Sequence, residues 1–239
     1  MIDKVFLILG ISRFFCPGVF LSSAVLLLVS CASAAAPKPA LETELSLNIR
    51  TSIIEGDLDS FVRLVDSDEV ANMKIYGNPM AAMVARHRRI EMFRYLLDHG
   101  LNIEATGKLG YPLSFHVMAS KHDEFLELLL DHGLDPNTTW KNGSTLTRMA
   151  YVQNRDRALS LLLDRGANPN TLSPYATLLT NAVKYNNETM VGVLLSHHAD
   201  PHAKQRFSEK TACDIALEKR DQSPNIWKLM ETPCDQPHH

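Results

Sequence analysis

A chain of 239 residues, 45% hydrophobic and 21% charged, has the composition of a folded globular protein and excludes an intrinsically disordered one. Its net charge of −3 leaves no basic excess for a nucleic-acid surface, so no nucleic acid is expected as a partner.

The first thirty residues are of a different material from the rest. Val5–Ile11 and Val19–Val29 are apolar runs, interrupted by Arg13 and by Cys16-Pro17-Gly18. Lys4 and Arg13 supply a positive region, Val19–Ser30 an apolar core, and small residues follow, which is the layout of a secretory signal. Three readings of the segment stand. Leu28-Val29-Ser30-Cys31 resembles the lipobox of bacterial lipoproteins. That resemblance implies a signal peptide over 1–30, lipid attachment at Cys31, and a membrane held through the lipid anchor. Ala32, where an Asp would imply inner-membrane retention, then implies the bacterial envelope at the outer membrane, facing the periplasm. The stretch Ala32-Ser33-Ala34 is instead an A-x-A-like cleavage site that would release a soluble exported protein. A retained span over 5–30 is the third reading, and the Arg and Pro-Gly interruption counts against it. Residues 31–44, with Pro37 and Pro39, read as a semi-extended tether.

Beyond residue 44 a motif recurs. Leu96-Leu97-Asp98-His99-Gly100, Leu128-Leu129-Leu130-Asp131-His132-Gly133 and Leu161-Leu162-Leu163-Asp164-Arg165-Gly166 place glycines 33 residues apart. A fourth copy, Leu194-Leu195-Ser196-His197-His198, puts His198 in the glycine slot. A glycine there ends a helix in the left-handed conformation, which His198 must adopt at some cost. Asp-Pro or Asn-Pro steps follow at Asp135-Pro136, Asn168-Pro169 and Asp200-Pro201 and turn the chain outward. Apolar spacing within each unit is helical, and outer helices apolar over most of their circumference must be covered by neighbours on both sides.

The period and the motif resemble the ankyrin repeat, a helix pair followed by a β-finger. Thr145…Ala150, Thr177…Ala182 and Thr211…Ala216 keep the first and last residues of that family's T-P-L-H-x-A turn, while Pro79-Met80-Ala81-Ala82 and Pro112-Leu113-Ser114-Phe115 depart from it. The resemblance implies an all-α repeat fold, an ankyrin-like solenoid of five to six helix-turn-helix units with short β-fingers, over residues 45–232. A degenerate first unit (inner helix Leu45–Ile54, outer helix Leu58–Val65) precedes repeats over 79–111, 112–144, 145–176 and 177–210. Thr211–Glu231 caps the stack without a finger, and a flexible tail over 233–239 is expected.

No catalytic signature is present: no G-x-S-x-G, phosphate-binding Gly-rich loop, H-E-x-x-H or C-x-x-C. No enzyme, no cofactor and no metal are expected. His197, His198 and His202 invite a metal reading but sit in a Pro-containing turn without completing ligands. Asp98-His99 and Asp131-His132 look like acid–base pairs, yet they recur at the repeat spacing, which accounts for them. Arg86-His87-Arg88-Arg89 reads as a solvated turn or a contact for an acidic partner or lipid headgroup.

The fingers hold the candidate binding residues. Each carries an aromatic residue, Tyr76, Tyr111, Trp140, Tyr175 and Phe207, flanked in places by Lys108, Lys141 and Arg206. Exposed aromatics and Arg carry much of the energy of protein interfaces; the same rings could instead pack finger on finger. Trp140 and Phe207 are the expected outward anchors. Cys213 and Cys234 remain after export; one near the start of the last inner helix and the other just past the end of its antiparallel partner, they lie at the same end of that pair, so a disulfide is geometrically possible; the alternative is a small buried Cys213. A tethered ankyrin binder resembles the lipoprotein immunity proteins that neutralise type VI secreted toxins, among which ankyrin partners of phospholipases occur. That implies a monomer when free with one specific protein partner, such as a secreted lipase effector, held by occlusion. An envelope scaffold using the same surface is the alternative.

Overall fold

The computed structural model describes residues 39–140, 143–173 and 175–235. Helix α1 (Pro39–Glu55) pairs with α2 (Leu58–Leu64), and a single turn, α3 (Asp68–Ala71), leads into strands β1 (Lys74–Ile75) and β2 (Asn78–Pro79). Five further pairs follow: α4 (Met80–Arg86) with α5 (Ile90–Asp98), α6 (Leu113–Ser120) with α7 (Asp123–Asp131), and α8 (Leu146–Val152) with α9 (Asp156–Asp164). The last two are α10 (Leu178–Lys184) with α11 (Glu188–Ser196), and α12 (Ala212–Glu218) with α13 (Pro224–Asp235). Each outer helix packs on the next, α2 on α5, α5 on α7, α7 on α9, α9 on α11 and α11 on α13. This is an all-α, ankyrin-like stack. Its core runs unbroken from Ile49 to Met230 through Phe93, Leu129, Leu162 and Leu194, all but closed to solvent.

Two expected boundaries shift. Helix α1 begins at Pro39, inside the segment expected as a tether; a proline fits a helix's first turn, where its missing N–H is not needed. Helix α13 continues through Pro233 to Asp235, past the expected start of the tail, because Ile226 and Met230 anchor it in the core and Cys234 is joined to Cys213 by a disulfide spanning Cα atoms 5.6 Å apart.

Each repeat closes in the same way. Gly100, Gly133 and Gly166 have φ of 74°, 93° and 87°, and His198 takes 62° in the same place. The next residue's N–H then returns to the outer helix: Leu101 to Leu96, Leu134 to Leu129, Ala167 to Leu162 and Ala199 to Leu194, at 2.9–3.0 Å. These bonds satisfy carbonyls that a helix end would otherwise orphan. A second left-handed row lies between inner and outer helices, at Gly56, Arg88, Lys121, Asn154 and Asn186.

The fingers are short. The first is a hairpin pairing Lys74 with Pro79 and Ile75 with Asn78, closed by Tyr76 and Gly77 at φ of 54° and 78°, a turn whose twist matches the strands. The next three are held by single bridges, Thr106 to Pro112, Thr139 to Thr145 and Leu172 to Thr177.

Asparagines tie neighbouring finger bases together. Asn137 donates to the Gly166 carbonyl at 3.0 Å and accepts from the Asn168 N–H at 2.8 Å. Asn72 makes the same two bonds to Gly100 and Asn102, and Asn170 accepts from Asp200 N–H at 2.8 Å. Glu104 holds the matching position in the second repeat; a carboxylate cannot donate to the Gly133 carbonyl.

Candidate functional site

The five finger tips divide into two groups. Tyr76 is 73% exposed, Tyr175 55% and Phe207 76%. Leu109, at the tip of the second finger, is 79% exposed; sequence reasoning that looked only for aromatic tips passed over it. Tyr111 and Trp140 turn inward. Trp140 is 7% exposed, which overturns its expected role as an outward anchor. Its ring meets Phe115 edge-on at 5.1 Å, and Phe115 stacks on Tyr111 at 4.2 Å. The three rings fill the angle between the second and third fingers, where burying an indole outweighs exposing it.

The exposed tips are fixed by their neighbours. The Arg50 guanidinium, from α1, lies 4.6 Å from the centre of the Tyr76 ring. The Lys108 stem lies so close over Gly77 that a Cβ there would sit 3.0 Å from the Lys108 Cβ; Lys108 itself is exposed. Arg206 N–H donates to the Tyr175 carbonyl at 2.7 Å. That bond joins the fourth and fifth fingers and sets the Tyr175 and Phe207 rings 5.2 Å apart. The Arg206 guanidinium lies 5.5 Å from the Phe207 ring. Behind these tips the fifth finger is braced by Lys204 to Glu209 at 2.5 Å and by Gln205 to the Lys210 carbonyl at 2.7 Å.

A cleft of about 320 Å³ opens between the second and third fingers, lined by Glu104, Thr106, Ser114, Thr139 and Trp140. Two polar atoms there, Ser114 Oγ and Trp140 Nε1, are buried without a partner within the protein. Ser114 stands where the fifth repeat has Leu179, and both are closed to solvent.

Several residues that drew a chemical reading are structural. Arg89 is not part of a solvated turn: its Nε donates to the Ile53 carbonyl at 2.8 Å and its Nη2 to that of Ile54, capping α1. His99 and His132 each place Nδ1 against the carbonyl four residues back, Tyr95 at 2.8 Å and Leu128 at 2.7 Å. Where the repeat carries Arg165 or His197 instead, the side chain reaches the previous repeat's aspartate, Asp131 at 2.6 Å and Asp164 at 3.6 Å. The two histidines are thus helix-end contacts, and Asp131 is an inter-repeat contact. His202 Nε2 lies 4.0 Å from Cys213 Sγ, and among the described residues no His, Cys, Asp and Glu cluster suits a metal ion. Cys31 and Lys141 lie outside the described residues. Among the described helices none is long and apolar enough to cross a membrane.

Stacked helix pairs joined by short fingers with exposed tips define a fold of the ankyrin-like type. Residues 113–205 match the family model described as ankyrin repeats (3 copies). A chain of a solved structure, the predatory endopeptidase Bd0816 from Bdellovibrio bacteriovorus in complex with immunity protein Bd3460, superposes with a TM-score of 0.60 at 20% identity. The match covers 77% of the present chain and 97% of the other. At that identity it speaks to the fold alone. No curated protein sequence matches the chain.

Proposed function

We propose that the protein is a non-enzymatic binding protein, a cognate inhibitor (immunity protein) that grips one secreted toxic effector, such as a phospholipase, and occludes it. The observation that carries this reading is the row of exposed apolar tips, Tyr76, Leu109, Tyr175 and Phe207. Exposing such side chains, two of them with rings 5.2 Å apart, costs solvation unless a partner covers them, and aromatic residues beside arginine supply much of the energy of protein interfaces. The likeness to a complex that contains an immunity protein supports the same reading. Export is supported by the Cys213–Cys234 disulfide, since such bonds persist in oxidising compartments. Lipid attachment at Cys31 would hold the inhibitor at the outer membrane, on the periplasmic side, where an incoming effector arrives.

The test is affinity capture with the mature chain from envelope extracts. One partner that binds tightly, and whose toxicity the protein abolishes in a co-expressing cell, is the expected result. Tyr175→Ala with Phe207→Ala should weaken capture at least tenfold. A spread of weak partners with no effect on toxicity would sink the reading in favour of an envelope scaffold. For the anchor, Cys31→Ala should release the protein from the membrane fraction.

A further inference from the structure

The finger tips differ in charge from the protein as a whole. The chain carries 27 acidic against 24 basic residues. Around the exposed tips the balance reverses, with Arg50, Lys74, Lys108 and Arg206, and none of these four forms an ion pair with a carboxylate among the described residues. The one acid at a tip, Glu209, is taken by Lys204. Acidic side chains gather elsewhere: Glu91, Asp98, Glu124, Glu127, Asp156 and Asp164 lie on the outer helices.

Two of the four cations are held against rings, Arg50 on Tyr76 and Arg206 on Phe207. A guanidinium resting on a ring keeps its N–H edge free for a planar acceptor.

We propose that the tips are built for a protein partner whose docking face is acidic, with carboxylates set between apolar side chains. This rests on the binding function proposed above and adds the chemistry of the partner. Carboxylates would meet Arg50, Lys108 and Arg206, while apolar side chains cover Tyr76, Leu109, Tyr175 and Phe207. Opposed charge also speeds encounter and makes it sensitive to salt, which suits an inhibitor that must arrive before damage is done. An anionic membrane offers similar chemistry, but the acidic outer helices and the net negative charge disfavour it.

The experiment uses the full mature chain and defined probes, so its outcome does not depend on finding the natural partner. The probes are a fluorescent ten-residue peptide alternating Asp or Glu with Phe, its counterpart with Lys at the acidic positions, and phosphatidylglycerol vesicles. The acidic peptide is expected to bind at least tenfold more tightly than the lysine peptide in 50 mM salt, and to weaken severalfold on raising the salt. A Lys74→Glu, Lys108→Glu, Arg206→Glu variant, confirmed folded by its circular dichroism, should lose or reverse that preference. Equal binding of the two peptides, a preference that survives the triple reversal, or stronger binding to vesicles would each overturn the proposal. None of those results bears on whether a cognate effector is captured, so the two ideas fail separately.

Discussion

Arg155 at the start of the fourth repeat's outer helix forms an ion pair with Asp123 of the third. The same guanidinium donates to the Met118 carbonyl at 2.8 Å, at the C-terminal end of α6. Only 11% of the Arg155 side chain and 18% of the Asp123 side chain are exposed, so truncation leaves the carboxylate without its partner in a nearly closed site and removes one of the two donors to the Met118 carbonyl. Arg155→Ala is expected to cost about 2–4 kcal/mol. Arg155→Lys, which keeps the charge but not the fork, should cost less. Urea unfolding of the three proteins checks the order; an alanine variant as stable as the parent would refute it.

The asparagine ties between finger bases predict opposite outcomes at two positions. Asn137→Ala removes two inter-repeat bonds and should destabilise by about 1–2 kcal/mol. Glu104→Asn places the missing donor opposite the Gly133 carbonyl and should add up to about 1 kcal/mol. Thermal melts of both variants against the parent decide the matter.

His198 holds a left-handed backbone at φ 62° where other repeats have glycine. Replacing it by glycine removes the steric cost of a Cβ in that region, about 1 kcal/mol. The larger unfolded-state entropy of glycine offsets part of that gain. A net rise in melting temperature is expected for His198→Gly, and a fall would mean that the imidazole makes a contact worth more than the strain.

Burial lowers the pKa of His116 from its ordinary 6.5, so the folded state favours the neutral ring. The unfolded chain takes up its proton first as the medium acidifies. The stabilisation is therefore complete above about pH 7 and is lost as pH falls through 6.5 toward the lowered folded value. Parent protein should lose stability between pH 7.5 and 5.5, and His116→Gln should lose less. Identical pH profiles would remove His116 as a cause. The lowered carboxyl of Asp214, held by the Thr211 N–H and hydroxyl, acts only in a more acidic range and does not confuse the comparison.

The fold was legible in the sequence because a stack repeats its constraints. Glycine after Leu-Leu-Asp-x marks a left-handed cap, and that geometry recurs at each copy, even where His198 replaces the glycine. The finger residues were harder to read. Trp140 and Phe207 have the same kind of position and opposite fates: each has a ring 5.1–5.2 Å away, but Phe115 is packed on the core while Tyr175, beside Phe207, is itself exposed. Leu109 carries no aromatic signal, and its exposure follows only from the shape of its finger. Arg89 read as a surface charge because nothing in the run Arg86–Arg89 says which of its basic groups turns back toward α1. The recurrence of Arg at 89 and 155, two repeats apart, was the available clue. The ends misled for a different reason: helix α13 passes through Pro233 because Met230 and the Cys213 link hold it, and local propensity records neither.

The link between Cys213 and Cys234 makes the last helix pair a matter of chemistry as well as folding. With thiols kept reduced, the final helix would rest on Ile226 and Met230, and its end would be free to loosen. Once oxidised, the two cysteines close a loop of 21 residues, limiting how far the unfolded chain can wander. The last repeat is therefore closed by an oxidation step as well as by burial, and its seal can be opened by reduction without touching the rest of the core.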